Sequence, residues 1–194
     1  GAEDDDPTFG HSVHGEVFNE GPRQAAVLIP GMGNVHFEVT TNSPEAQEFF
    51  NQGIGQLHGF WDFEAERTFR QVAAIDPDCA MAYWGMAMAN YKNNERGKGF
   101  IEEAVVRKDR ASGREQRWID GLAAYFENPK ADLKKRLRDY VRSLEDLAID
   151  YPDDIEAEAF LLKHIYYNNG KGLPIPSHYT INLLADKILT TAPD

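Results

Sequence analysis

The stretch LHGFWDFEAER, from Leu57 to Arg67, places one histidine, one aspartate, two glutamates and one arginine between aromatic rings. Paired carboxylates can act as an acid and a base, and a histidine can act as a base or a metal ligand. Helix chemistry gives another interpretation, in which Asp62 caps a helix and Glu64 and Glu66 occupy its first turn, where negative charge is favoured. Only His58, at the end of the preceding helix, then remains a functional candidate.

A second group of candidate ligands lies in GHSVHGE, which contains His11, His14 and Glu16. Histidines three residues apart can share a metal ion, and His36 or His58 could complete the coordination set. This alternative would make the chain a metal-binding protein or a metal-dependent enzyme. The flanking glycines favour a loop with surface histidines, so we predict no metal and no cofactor. The stretch also lacks the closing glycine of a nucleophile elbow, and no catalytic residue is predicted.

The charge and composition of the chain restrict its partners. A formal net charge of -12 opposes binding to nucleic acid, because nucleic-acid binders displace counterions with clustered Lys and Arg. A neutral or basic protein or peptide is the better partner. No stretch approaches the roughly 18 apolar residues of a membrane helix, so no membrane span is predicted. The single cysteine, Cys79, lies in an apolar run and is predicted to be a buried, unreactive thiol.

The first residues, GAEDDDP, have the acidic character of a mature terminus that follows a cleaved signal peptide. They predict an exported protein, either periplasmic or extracellular. A cytoplasmic location is the alternative.

Residues 1–41 differ from the rest of the chain and form a predicted N-terminal extension. Two β-prone runs, Ala25 to Ile29 and Val35 to Thr40, flank the loop that starts at Pro30. Such runs around a glycine-rich loop predict a small β-hairpin. Residues 42–194 form a predicted helical domain.

The helical domain divides at its prolines, asparagines and glycines into about eight helices. Ser43 and Pro44 begin the first helix, because a hydroxyl caps the end and proline loses nothing at the first position. Ser112 and Glu115 form a capping box for a later helix. The breaks predict four helical hairpins, at about 44–76, 79–110, 113–151 and 153–192.

An internal repeat supports this division. Positions of the first helix return 34 residues later with similar side chains: Ala46, Phe49 and Gly53 become Ala80, Tyr83 and Ala87. The chain therefore resembles the tetratricopeptide-repeat (TPR) family, which implies an all-α, TPR-like α-solenoid. Gly53 and Ala65 would let two helices approach closely, and Phe69 would fill the gap to the next pair.

A closer resemblance rests on three segments, QGIGQLHGFWDFEAERTFRQ, DPDCAMAYWGMAMAN and REQRWIDGLAAYF. They resemble a group of bacterial repeat proteins that are often exported, and the likeness covers Ser43 to Asp194. Members of the group often carry a histidine-rich helix further along the chain. The final TTAPD matches AIDPD of the first repeat, which predicts that the array continues beyond Asp194.

One face of each first helix is predicted to line a concave groove. Its residues follow the packing aromatics by one position, and the candidates for binding are Phe50, Ile54, Leu57, His58, Trp84, Met88 and Tyr91. The fourth hairpin places Ala159, Lys163 and Tyr166 on the same face. An exposed apolar strip of this size is typical of a binding site. We therefore predict a protein-binding or peptide-binding module, or a scaffold, without catalytic activity.

The N-terminal extension is an alternative occupant of this groove. Phe9, Val13, Phe18 and the predicted hairpin could fold back and cover the aromatic strip. An open groove predicts that Trp84 and Tyr91 are exposed, whereas a covered groove predicts that both are buried.

Overall fold

The computed structural model describes residues 25–175 and 177–191. The regular secondary structure of these residues is helical, which confirms the all-α prediction. The α-helices are α1 (Pro44–His58), α2 (Asp62–Ile75), α3 (Ala80–Ala89), α4 (Asn94–Arg107), α5 (Gly113–Glu127), α6 (Leu133–Asp150), α7 (Ile155–Asn169) and α8 (His178–Thr191). A short 3-10 helix, Lys108–Arg110, follows α4. Each of the four predicted hairpin ranges contains two of the α-helices.

Side-chain caps fix several of the helix starts. The Ser43 hydroxyl accepts from the Ala46 N–H at 3.2 Å, with Pro44 at the first helical position. The predicted capping box is confirmed at α5, where the Glu115 carboxylate accepts from the Ser112 N–H at 2.8 Å and the Ser112 hydroxyl accepts from the Glu115 N–H at 3.3 Å. These bonds satisfy backbone donors that a helix start leaves without intrahelical partners.

The turn between α1 and α2 differs from the prediction that Asp62 caps α2. Trp61 occupies the cap position, and no side chain bonds to the backbone there. Phe60 has φ of +60° in the left-handed region, its N–H donates to the Leu57 carbonyl, and the Trp61 N–H donates to the Gln56 carbonyl. This pair of bonds is a Schellman motif, which ends α1 so tightly that Asp62 already belongs to α2.

The described residues fall into two compact units that divide between Phe126 and Glu127. In the first unit α1 packs on α2, α2 on α3, and α3 on α4. The Phe69 ring lies between two glycines: a Cβ added at Gly53 would lie 2.6 Å from it, and one at Gly85 would lie 2.4 Å from it. This close approach confirms the predicted roles of Gly53 and Phe69.

In the second unit α6 packs on α7, and α7 packs on α8. The buried side chains of α6 include Leu137, Tyr140 and Leu144, whereas α8 buries Ile181 alone among its residues. No helix within the described residues is both long enough and apolar enough to span a membrane.

The predicted β-hairpin is wrong for the described residues. Residues 25–41 contain no strand, although both β-prone runs lie within them. Each run bonds to side chains of α1 instead of to the other run; for example, the Phe37 and Val39 N–H groups donate to Asn51 and Gln47. These residues also belong to the first compact unit. We call residues 25–41 the covering segment.

Candidate functional site

The predicted groove residues lie together but are not open to solvent. Six of the seven candidates are buried: Phe50, Ile54, Leu57, Trp84, Met88 and Tyr91. His58 is half-buried. The prediction of an exposed aromatic strip is therefore wrong, because in water these rings are more stable when other apolar groups cover them.

Phe37 of the covering segment fills the centre of this strip. Its ring is fully buried and lies 5.3 Å from Phe50, 6.0 Å from Trp84 and 5.3 Å from Trp118 between ring centroids. The Arg114 guanidinium lies 4.3 Å from the centroid of the Phe37 ring. The described part of the N-terminal extension thus occupies the predicted groove at α1, α3 and α5.

Tyr91 is buried by a different neighbour. Its ring stacks on Tyr125 of α5 with centroids 4.3 Å apart and an interplanar angle of 10°. The Phe126 ring stands edge-on to Tyr91 at 6.4 Å. Among the described residues, helix packing therefore closes this end of the predicted strip.

Amide side chains of α1 hold the covering segment by its backbone. The Gln47 amide accepts from the Val39 N–H at 3.0 Å and donates to the Phe37 carbonyl at 2.7 Å. The Asn51 amide accepts from the Phe37 N–H at 3.0 Å and from the Gln47 amide at 2.9 Å. Because these bonds go to main-chain atoms, they depend little on which side chains the bound segment carries.

The spacing of these contacts follows from the geometry of helix and extended chain. Gln47, Asn51 and Gly55 are four residues apart, about 6 Å along the helix per step. Val39, Phe37 and Val35 are two residues apart, about 6.6 Å per step in extended chain. At Gly55 an added Cβ would lie 2.6 Å from the Met32 carbonyl oxygen and 3.7 Å from the Val35 side chain. The four-residue spacing of positions on α1 therefore matches the two-residue spacing of backbone groups on the covering segment.

Burial in this stretch alternates as it does in a half-buried strand. Phe37 and Val39 are buried, whereas His36, Glu38 and Thr40 are exposed. The alternation that predicted a strand was thus a correct signal of extended chain. The extended chain pairs with a helix, α1, and no simple pattern in the sequence predicts this kind of partner.

Residues 25–29, which we call the first arm of the covering segment, also bond to α1. Gln52, which is buried, accepts from the Ile29 N–H at 2.6 Å and donates to the Val27 carbonyl at 3.0 Å. Its amide also donates to the Thr68 hydroxyl at 3.3 Å. A cleft of about 290 Å³ lies between this arm and α1, lined by residues that include Leu28. We call Gln47, Asn51 and Gln52 the amide row.

Glu115 fixes the last residues of the covering segment. Its carboxylate accepts from the Thr40 N–H at 2.7 Å and from the Thr40 hydroxyl at 2.5 Å. The neighbouring Arg114 donates to the Glu38 carbonyl at 2.9 Å. The Thr41 hydroxyl donates to Asp76 at 2.6 Å. The sequence predicted Glu115 only as a capping residue, and its contact with Thr40 was missed.

Glu66 has a structural role that the sequence analysis also missed. It is fully buried, and its carboxylate accepts from Arg70 at 2.7 and 2.9 Å, from Arg96 at 2.5 Å and from the Asn90 amide at 2.8 Å. Arg70 and Arg96 each lie 5.3 Å from the centroid of the Phe100 ring. The pairing of Glu66 with Arg70 at i and i+4 was the available signal.

The candidate metal ligands are not gathered in the described residues. His36 is exposed and His58 is half-buried, and residues 25–175 and 177–191 contain no group of three His, Cys, Asp or Glu side chains that could hold a metal ion. His11, His14 and Glu16 lie outside the described residues, as do Phe9, Val13 and Phe18 of the alternative occupant. Cys79 is buried, as predicted, and burial raises the pKa of its thiol to about 12.

A buried histidine that the sequence analysis did not select lies in the second unit. The His164 ring stands edge-on to Tyr140 at 4.8 Å and stacks near Phe160 at 6.4 Å. Burial, and to a lesser extent the charge of Lys163, lowers the pKa of His164 to about 3. A neutral imidazole enclosed by aromatic rings is suited to core packing.

The covered groove is equipped to hold an extended chain. The amide row pairs with main-chain donors and acceptors, the aromatic rings around Phe37 take one large side chain, and Glu115 accepts hydrogen bonds at the end of the segment. Together these groups hold residues 25–41 of the same chain against α1 and the start of α5. Comparison of the chain with family models, with curated proteins and with solved structures finds no match.

Proposed function

We propose that the chain is a helical-repeat module of the tetratricopeptide type that binds extended protein segments along the amide row of α1. The observation that carries this proposal is the match between the two registers, in which Gln47 and Asn51 bond to the backbone of Val39 and Phe37. A helix that presents amides every four residues can accept any chain that presents backbone groups every two residues.

The covering segment occupies the site as an intramolecular ligand in this proposal. A foreign segment would replace it and take over the same main-chain bonds. The net charge of -12 favours a neutral or basic partner. An exported location, predicted from the acidic residues of GAEDDDP, belongs to the same proposal.

Cleavage beside the covering segment provides the test. A protease recognition sequence is inserted between Asn42, which is exposed, and Ser43, and the purified protein is cut there. A fluorescent peptide with the sequence of residues 25–41 is then titrated against the cut and the uncut protein. We expect saturable binding to the cut protein, measured by fluorescence anisotropy. The uncut protein should bind far more weakly, because its own segment competes at a high effective concentration.

A modified peptide tests the role of the main chain. Methyl groups on the backbone nitrogens of Phe37 and Val39 remove the donors to Asn51 and Gln47 and leave the side chains unchanged. Each lost hydrogen bond should weaken binding roughly fivefold. Gln47→Ala in the protein should weaken binding, whereas Glu45→Ala, at an exposed position on the same helix, should not.

Two results would contradict the proposal. One is the absence of saturable binding to a cut protein whose circular dichroism spectrum is unchanged. The other is equal affinity of the methylated and unmethylated peptides.

A further inference from the structure

Glu115 is a buried carboxylate whose partners come partly from the covering segment. Its side chain accepts three hydrogen bonds, from the Ser112 N–H, the Thr40 N–H and the Thr40 hydroxyl. The first bond belongs to the capping box of α5 and is independent of the segment. The other two come from residue 40, one from its backbone N–H and one from its hydroxyl, and Glu115 itself is only 2% exposed. A segment without a hydroxyl there would leave a buried acceptor with one partner fewer.

Arg114, the residue before Glu115, contacts the same segment three residues earlier. Its guanidinium lies 4.3 Å from the centroid of the Phe37 ring and donates to the Glu38 carbonyl at 2.9 Å. A cation above an aromatic face favours an aromatic side chain at this position over an aliphatic one. The start of α5 therefore contacts two side chains, at positions 37 and 40, that are three residues apart.

Position 39 lies between these two contacts and is buried, as position 37 is. Val39 is 6% exposed, whereas the side chain at position 38 points to solvent and is exposed. The covering segment therefore presents an aromatic residue, an unrestricted residue, an aliphatic residue and a hydroxyl residue in order. The side chains at positions 37 and 40 each have a defined neighbour in the first unit.

We infer that the groove selects extended segments with the pattern aromatic, any residue, aliphatic, then serine or threonine, and that Glu115 reads the hydroxyl. This inference rests on the proposed function and adds the class of partner. An acidic residue in the hydroxyl position is rejected, because a second negative charge would face a buried carboxylate. A phosphorylated threonine is rejected more strongly, since it carries a charge of about -2.

The test uses the cut protein and four fluorescent peptides that differ only at position 40. They carry threonine, serine, valine or phosphothreonine there. We expect the serine peptide to bind within roughly threefold of the threonine peptide, and the valine peptide to bind roughly tenfold more weakly, because valine has the shape of threonine without its hydroxyl. The phosphothreonine peptide should bind more weakly than the valine peptide.

A substitution in the protein assigns the effect to Glu115. Glu115→Gln retains a capping-box side chain, so that α5 keeps its start, and the amide no longer repels a negative charge. The phosphothreonine peptide should recover at least part of its affinity on this variant, and the preference for threonine over valine should shrink. Thermal unfolding followed by circular dichroism shows whether the variant is folded. If it is not folded, the four peptides on the unmodified protein still test the selectivity at position 40.

The outcomes separate the two claims. If no peptide binds the cut protein, the proposed function fails and the selectivity fails with it. If threonine and valine peptides bind the unmodified protein with equal affinity, only the selectivity is wrong. Equal discrimination by the Glu115→Gln protein would show that another group recognises position 40 and would also overturn the inference.

Discussion

The two compact units differ in how far they bury the helix faces that the sequence analysis predicted to line the groove. In the first unit, Phe50 of α1 and Trp84 of α3 are completely buried, because Phe37 of the covering segment lies against both rings. In the second unit, the predicted face of α7 is more open: Lys163 is half-buried and Tyr166 is 52% exposed. The sequence placed all four residues in one series. The comparison teaches that helical spacing indicates which face of a helix a residue occupies, whereas neighbouring segments decide whether that face is buried.

The units also differ in how they bury a titratable group. The first unit pairs the Glu66 carboxylate with the guanidinium groups of Arg70 and Arg96, so that the buried negative charge has partners of opposite charge. The second unit surrounds His164 with aromatic rings and keeps it neutral by holding its pKa near 3. Burial among apolar groups favours the neutral form of a base, whereas burial of a charge requires a partner of opposite charge.

Removal of Glu66 should give the largest change in stability. Glu66→Ala leaves the buried Arg70 and the nearby Arg96 without their shared carboxylate, and we expect the free energy of unfolding to fall by about 3–5 kcal/mol. Urea unfolding measures this loss. Glu64→Ala, whose partner Arg67 lies 3.4 Å away in a more exposed pair, should cost less than about 1 kcal/mol. Similar losses in the two variants would contradict the assignment of a buried cluster.

A methyl group at Gly55 should displace the covering segment. Gly55→Ala puts a Cβ 2.6 Å from the Met32 carbonyl oxygen, and backbone must move to relieve the contact. We expect a loss of about 1–3 kcal/mol in the free energy of unfolding and faster proteolysis within residues 25–41. Gly99→Ala, in α4 and with open space around the new methyl, should instead stabilise the protein by up to about 1 kcal/mol. If both variants stabilise it, the close contact at Gly55 is wrong.

Acid should destabilise the second unit through His164. Its folded pKa of about 3 lies below the ordinary value of 6.5, so the unfolded chain binds a proton first as pH falls through 6.5. The contribution of His164 to the free energy of unfolding is complete above pH 6.5. Below that pH it falls by about 1.4 kcal/mol per pH unit, which amounts to about 2 kcal/mol at pH 5. His164→Leu should remove this part of the pH dependence of unfolding. His178→Leu, at an exposed position in the same unit, should leave it intact.

The smallest expected change concerns the turns that end α1 and α7. The first unit uses Phe60 at φ of +60°, whereas the second uses Gly172 at φ of +78°. A side chain in the left-handed region costs about 1 kcal/mol, so Phe60→Gly should stabilise the protein by about that amount. Trp61→Gly, where φ is -89°, should bring no such gain. A thermal melt compares the two variants, and a loss of stability in Phe60→Gly would show that the ring makes contacts worth more than the strain.

Much of the helical framework could be predicted from local signals. Ser43, Pro44 and the Ser112–Glu115 box act within one turn of a helix, so the residues themselves fix where helices start. Gly53 and Phe69 were also identified, because close packing of two helices needs a small residue opposite a large one. The capping role of Asp62 was wrong, because Phe60 adopts a conformation that its residue type disfavours.

The candidate site could be predicted only in part. The sequence selected a set of residues from Phe50 to Tyr91 that are mostly buried in the structure, and it named the N-terminal extension as an alternative occupant of their surface. It placed the extension in a β-hairpin, because period-two burial is the same whether the partner of an extended chain is a strand or a helix. The contacts of Asn51, Gln52 and Glu115 join residues far apart in the chain, and no local pattern marks them.

By itself, the sequence determined the all-α class, the approximate ends of the helices and the net charge of the chain. These properties follow from caps, spacing and composition, which act over a few residues or over the whole chain at once. Only the tertiary structure decided that Phe37 covers the predicted groove and that Glu66 is buried among arginines. Both facts depend on burial and hydrogen bonding between segments that are distant in the sequence. These interactions form only when folding brings the segments together, so no local pattern predicts them.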